Sequence, residues 1–108
     1  MIFDINKKKR IMRYENQRQG NGGVILLFSD ENIEIGRCTY MVIPSESKLI
    51  ISFVLVHKEF EGKGMGKLLV EAAIQFAREN GWKIFPHCSY AHSVMKKIDH
   101  VKDILIPH

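Results

Sequence analysis

The chain has 108 residues, 45% of them hydrophobic, which fits one domain spanning 1–108 with a real core and leaves no room for two. Its formal charge of +4 suits an anionic ligand but is too modest to argue for nucleic acid by itself. No apolar run reaches the roughly 18 residues of a membrane span, the basic cluster Lys7–Arg10 follows rather than precedes the apolar start, unlike a signal peptide, and two cysteines are too few for a disulfide framework, so a cytoplasmic protein with free thiols is expected.

In chain order, residues 1–10 read as a mobile basic arm. Its run Lys7-Lys8-Lys9-Arg10 reads first as a solvated charge cluster. A contact to RNA or to a ligand phosphate is the sharper alternative, and no aromatic-rich nucleic-acid motif stands beside it. Ile11-Met12-Arg13-Tyr14 suggests a short first strand, and Gln17 to Gly23 a glycine-rich loop with an Asn-Gly turn signal. Val24 to Phe28 reads as a buried strand, Ser29 to Asn32 as a turn, and Ile33 to Val42 as the next strand of a hairpin. Pro44 to Ser47 turns the chain again, and Leu49 to Val56 is a third apolar strand, which completes an antiparallel meander.

From Gly64 to Asn80 the period becomes helical, with Lys67, Glu71, Gln75 and Arg78 as a polar stripe. Asn80-Gly81 supplies a left-handed stop. Trp82 to Phe85 is a compact strand ended by Pro86, so Leu49 to Phe85 forms a strand–helix–strand crossover to a parallel neighbour. Ser89 is placed to cap a short helix from Tyr90 to Lys97. Residues 99–108 are a tail, with Ile104-Leu105-Ile106 as a candidate last strand. The fold class is α/β: a mixed, mainly antiparallel sheet with one long and one short helix.

The most informative stretch runs from Val54 to Val70. An apolar strand is followed by a short polar loop, three glycines at alternate positions, Gly62, Gly64 and Gly66, and then the long helix. Glycines let the backbone approach a ligand with its N–H groups uncovered, and a helix N-terminus adds positive potential. The pattern points to a phosphorylated small molecule, against the alternative of a strand-to-helix turn with no ligand. A Walker loop fails, because only three residues separate Gly62 from Gly66-Lys67 and Leu68 follows where Ser or Thr must bind magnesium. A dinucleotide fingerprint fails too, because its G-x-G-x-x-G spacing is absent.

Glu61-Gly62-Lys63-Gly64-Met65-Gly66 resembles the coenzyme A pyrophosphate loop of the GNAT N-acetyltransferase superfamily, Arg/Gln-x-x-Gly-x-Gly/Ala, with Gly64 and Gly66 on the motif glycines. The resemblance continues through the helix to Pro86-His87-Cys88-Ser89-Tyr90, and that longer pattern is similar to a small single-domain subgroup of the superfamily. It covers about residues 50–100. It implies a minimal GNAT fold whose early helices are missing or reduced, with thin acceptor-substrate walls. It also implies acetyl-CoA as substrate, with Glu61, Gly62, Lys63, Gly64, Met65, Gly66 and Lys67 around the pyrophosphate. The strand Ser52 to Val56, with Val54 and Val56, would lie along the thioester. Glu61 departs from the motif and places a carboxylate where a cation or amide is usual; Lys63 and Lys67 are near enough to offset it.

Cys88 and Tyr90 are the candidate catalytic side chains. Cys88 lies near a helix N-terminus, where a thiolate is favoured, with His87 and His92 close in sequence; it either attacks the acetyl group or fills a gap in the core. The resemblance offers Tyr90 as the acid that protonates the departing thiolate, against a tyrosine simply packed at a helix start. His57, before the glycines, reads first as an exposed loop histidine and second as a base or phosphate contact. The subgroup carries a histidine and an acidic residue on the preceding strand, where this chain has Phe53 and Leu55. Four metal ligands at motif spacing are absent. The partner set is acetyl-CoA and an amine the sequence does not name; oligomeric state is not readable. The alternatives are an acyl-CoA binding module without transferase activity and a basic partner-binding domain.

Overall fold

The computed structural model describes residues 12–106, so the basic arm, Ile11 and the last two residues lie outside it. Five strands, β1 (Arg13–Gln19), β2 (Gly22–Phe28), β3 (Glu34–Ile43), β4 (Lys48–Val56) and β5 (Lys83–Pro86), form one sheet in sequence order. The first four pair antiparallel and β5 joins β4 in parallel. The crossover carries the long helix α1 (Met65–Asn80), and a short helix α2 (Ser89–Lys96) follows β5. This is the minimal mixed α/β fold expected.

The alternation of β2 and β3 decides which face is buried. Ile25, Leu27, Ile35, Cys38, Tyr40, Leu49 and Ile51 meet Leu69, Val70, Ala73 and Ala77 of α1 and Met95 of α2 in one core. Each of the Leu, Ile, Val and Met side chains among them contributes about 1.5–3 kcal/mol on burial. Helix α1 stops in a Schellman motif. Gly81, at φ 72°, donates its N–H to Arg78, and Trp82 donates to Ala77 over 2.9 Å.

Three local expectations are corrected. Gln17 to Gly23 is not a loop: β1 runs to Gln19 and β2 starts at Gly22, so only Gly20 and Asn21 turn the chain. β1 is an exposed edge strand, so its polar residues give no apolar signal. Ser89 does not cap α2; Cys88 occupies the cap position and its side chain makes no capping bond. In place of a last strand, the described part of the tail forms a single parallel bridge from Leu105 to Ile84, held by Ile84 N–H to Ile104 O at 2.7 Å and Ile106 N–H to Ile84 O at 2.8 Å. Among the described residues no helix is long and apolar enough to cross a membrane.

The feature that shapes the site is a parting of strands. β4 pairs with β5 only over Lys48 to Ile51. The β3–β4 register then slips, Tyr40 facing Ile51 and Thr39 facing Phe53, which makes Ser52 the extra residue of a bulge. Pro86 ends the β5 ladder for want of an N–H. Beyond Ile51, β4 keeps β3 on one side, and among the described residues no strand pairs with its other edge.

Candidate functional site

N–H groups of successive residues in a strand point to opposite edges. His57 N–H is committed to the β3 side, donating to Ile35 O over 2.9 Å. The amides of Val56 and Val54 therefore face the edge that β5 has left.

The loop after β4 continues this row of donors. A single 3-10 turn, Lys58–Phe60, uses the amides of Phe60 and Glu61, which donate to His57 O and Lys58 O. Among the described residues no amide from Gly62 to Lys67 donates to a protein acceptor; the first helical bond is Leu68 N–H to Gly64 O at 3.3 Å. Gly62 and Gly64 take φ of 77° and 80°, a conformation that costs other residues about 1–2 kcal/mol. The chain thus reaches α1 with bare amides at the positive end of a helix dipole.

Gly66 has a different task. Its own φ is not left-handed, and a side chain there would run into the ring and hydroxyl of Tyr90. The absent Cβ lets Tyr90, on the first turn of α2, lie across the start of α1. Together the free β4 edge, the loop and Tyr90 enclose a cleft of 510 Å³ lined by Val54, Val56, Phe60, Gly62, Gly64 and Tyr90 among others.

Of the residues singled out from sequence, Val54, Val56, Glu61, Gly62, Gly64, Met65, Gly66 and Tyr90 share this cleft. Glu61 is exposed, with its amide already used in the turn. Lys63 and Lys67 are exposed, and Lys63 borders a second pocket of 350 Å³ that shares Phe60 and Met65. Cys88 is half-buried against the core rather than in the cleft wall. Its N–H donates to Ile51 O over 3.1 Å, which ties α2 to the last paired residue of β4. Burial, and then the charge of Cys88, push the Cys38 thiol up to about 12. Among the described residues no group of three or more His, Cys, Asp or Glu gathers around a metal position.

One cluster escaped the sequence. Arg37 grips Glu34 with two bonds of 2.7 and 3.0 Å, and His57 Nε2 lies 2.7 Å from the same carboxylate. The Arg37 hydrogen bonds first, then His57, hold the Glu34 carboxyl down to about 2. His57 is thus a pinned residue that joins the end of β4 to the start of β3, not a free loop histidine. The i,i+3 spacing of Glu34 and Arg37 was visible, but they sit in a strand, and only the bulge between Leu27 and Phe28, which leaves Ile35 as the extra residue of β3, and the β3–β4 register bring His57 to them.

The glycine loop joins a strand to the start of a helix, as the sequence suggested; the parting of β4 from β5 is a feature the sequence did not announce. Residues 24–104 match the family described as GCN5-related N-acetyl-transferase. The chain belongs to that family. A GCN5-like protein from Staphylococcus aureus, solved by NMR, is 30% identical, with 87% of this chain and 89% of that one aligned at a TM-score of 0.65. A GNAT family acetyltransferase from Elizabethkingia anophelis with acetyl-CoA bound is 15% identical, covering 68% of this chain and 62% of that one at 0.58. An aminoglycoside acetyltransferase from an uncultured soil metagenomic sample, in complex with sisomicin, is 24% identical, covering 73% and 57% at 0.61. The last two share the fold, and this chain spans under two thirds of their length. A nourseothricin acetyltransferase of the same fold is longer still, with 39% of it aligned. No curated protein matches the sequence.

Proposed function

We propose that this chain is a cytoplasmic, single-domain N-acetyltransferase that takes acetyl-CoA in the cleft between β4, the glycine loop and Tyr90, and passes the acetyl group to an amine. The observation that carries this reading is the unbonded amide row from Gly62 to Lys67, continuous with the free edge at Val54 and Val56. Such amides suit a diphosphate, and Lys63 and Lys67 offset Glu61. Acetyl-CoA supplies the activated acetyl group. The Val54 N–H donates to the thioester oxygen as negative charge develops on it. The amine nitrogen forms its bond to the acetyl carbon as the carbon–sulfur bond breaks. Tyr90 donates its phenolic proton to the leaving thiolate and regains one from the acetylated nitrogen through solvent.

Direct transfer is preferred over an acetyl-Cys88 intermediate because Cys88 packs toward the core and Tyr90 lies in the cleft. Intact-mass measurement after incubation with acetyl-CoA tests this. No added acetyl group is expected, and an acetyl adduct that disappears in Cys88→Ser would establish the covalent route. The second reading, an acyl-CoA binding module, is favoured by Phe53 and Leu55 standing where the resemblance places a histidine and an acid. A screen of amines for thiol release separates the two: release with at least one amine supports transfer, and saturable coenzyme A binding with no release supports the module.

A further inference from the structure

His57 stands at the root of the glycine loop and is bonded in three ways. Its N–H donates to Ile35 O and its C=O accepts from Phe60 N–H, each over 2.9 Å. Its ring Nε2 lies 2.7 Å from Oε2 of Glu34. A carboxylate only accepts, so Nε2 carries the proton donated there. Arg37 grips both oxygens of that carboxylate, Nη2 to Oε1 at 2.7 Å and Nε to Oε2 at 3.0 Å. A two-bond guanidinium grip fixes the acceptor in direction as well as in distance.

The residue between the two charges tightens the seat. Gly36 pairs with Val56, and its φ is not left-handed, so its own backbone does not require glycine. A side chain there would run into Leu55 O and come within 3.1 Å of the Val56 Cα. Both obstacles are main chain. β3 therefore comes closer to β4 here than a residue with a Cβ allows. The segment from Glu34 to Arg37 thus holds Leu55, Val56 and His57 by a close approach, a main-chain bond and a side-chain bond.

No residue of that β3 segment lines the cleft, but what it holds does. Leu55 and Val56 form part of the wall, and Phe60, whose amide hangs on the His57 carbonyl, forms another part. Among the described residues no side chain from Lys58 to Lys67 makes a hydrogen bond or ion pair, so the His57 ring is the one polar side-chain tie between the loop root and the sheet. A row of donors recognises a diphosphate well only when it is fixed beforehand, because misplacement by about 1 Å can cost as much as a lost contact.

Resting on the coenzyme A reading above, we propose that His57 and Glu34 are positioning residues for acetyl-CoA: they fix the root of the glycine loop so that its amides meet the diphosphate, and neither touches the ligand. The test measures the coenzyme A Kd by calorimetry, and the KM for acetyl-CoA and kcat with any amine that turns over, in His57→Leu, His57→Gln, Glu34→Ala and Asp103→Ala. A glutamine amide can donate to Glu34 as Nε2 does, and leucine cannot. Asp103→Ala removes the two-bond pair with Arg78, away from the cleft, and serves as the comparison for lost stability alone. His57→Leu and Glu34→Ala should raise Kd and KM about tenfold with kcat kept within about twofold, the signature of lost uniform binding. His57→Gln should restore most of the affinity, and Asp103→Ala should leave it unchanged. A Kd within about twofold of wild type in either His57→Leu or Glu34→Ala overturns the proposal. An equal rise in Asp103→Ala, or no rescue by glutamine, overturns it too. Where no amine turns over, the Kd decides. If the unaltered protein binds no coenzyme A, that reading fails separately. The positioning claim is then read from amide spectra of the free protein. Shifts from Lys58 through Gly64 in His57→Leu, absent in His57→Gln, support it, and shifts confined to Glu34, Arg37 and His57 overturn it.

Discussion

Three glycines spaced alike in the sequence do two different jobs. Gly62 and Gly64 are in left-handed backbone with open space around the missing side chain, so Gly64→Ala costs conformational strain of about 1–2 kcal/mol and no clash. Gly66→Ala reverses this: its backbone tolerates alanine, but Tyr90 must leave its seat. Because Tyr90 is 44% exposed, it can swing away cheaply. The expected result is an unchanged melting temperature, shifted Tyr90 ring resonances, and turnover about ten- to a hundredfold lower if Tyr90 is the acid. A thermal melt, an aromatic spectrum and steady-state kinetics check the three parts. Glu34 provides a pH signature. Its folded pKa lies below the ordinary 4.5, at about 2, so its contribution to stability is present above 4.5 and is lost as pH falls through 2. Denaturant unfolding from pH 5 to pH 2 should show that slope, and Glu34→Gln should reduce it.

At the scale of elements, the strong periodic segments were legible and the site's contacts were not. β2, β4, α1 and β5 each have an apolar run or a helical stripe bounded by glycine or proline, so sequence alone places them within a residue or two. β1 was missed over Glu15 to Gln19 because an edge strand exposed on both sides has no pattern to show. The helix stop was legible in Asn80-Gly81, and Gly81→Ala, which forces a side chain into φ 72°, should lower stability by about 1 kcal/mol. Leu69→Ala, at a fully buried position, should cost 2–5 kcal/mol, as such cavity-forming changes do. Chemical denaturation of the two variants tests whether α1 is held more by its packed face than by its stop. The Glu34–Arg37–His57 cluster was illegible because it depends on a one-residue slip between strands, which leaves no mark in spacing. Tyr90 was found by position in the motif, while its seat on Gly66 emerged only from the packing of α2 across α1.

The described residues form one sheet with both helices packed into a single core, and the parting of β4 from β5 opens the cleft beside Val54. The family was readable in the stretch from Val54 to Val70, and the mainly antiparallel sheet in the apolar runs from Val24 to Val56. Everything chemical in the account requires the Gly62 to Lys67 amides to hold a diphosphate. A titration of the nitrogen-15-labelled protein with coenzyme A, followed residue by residue, tests it directly. The account predicts saturable shifts that are largest from Gly62 to Lys67, with smaller ones at Val54 and Val56. Amides in that loop that stay fixed at ligand concentrations of about 1 mM, or shifts concentrated elsewhere, would contradict it.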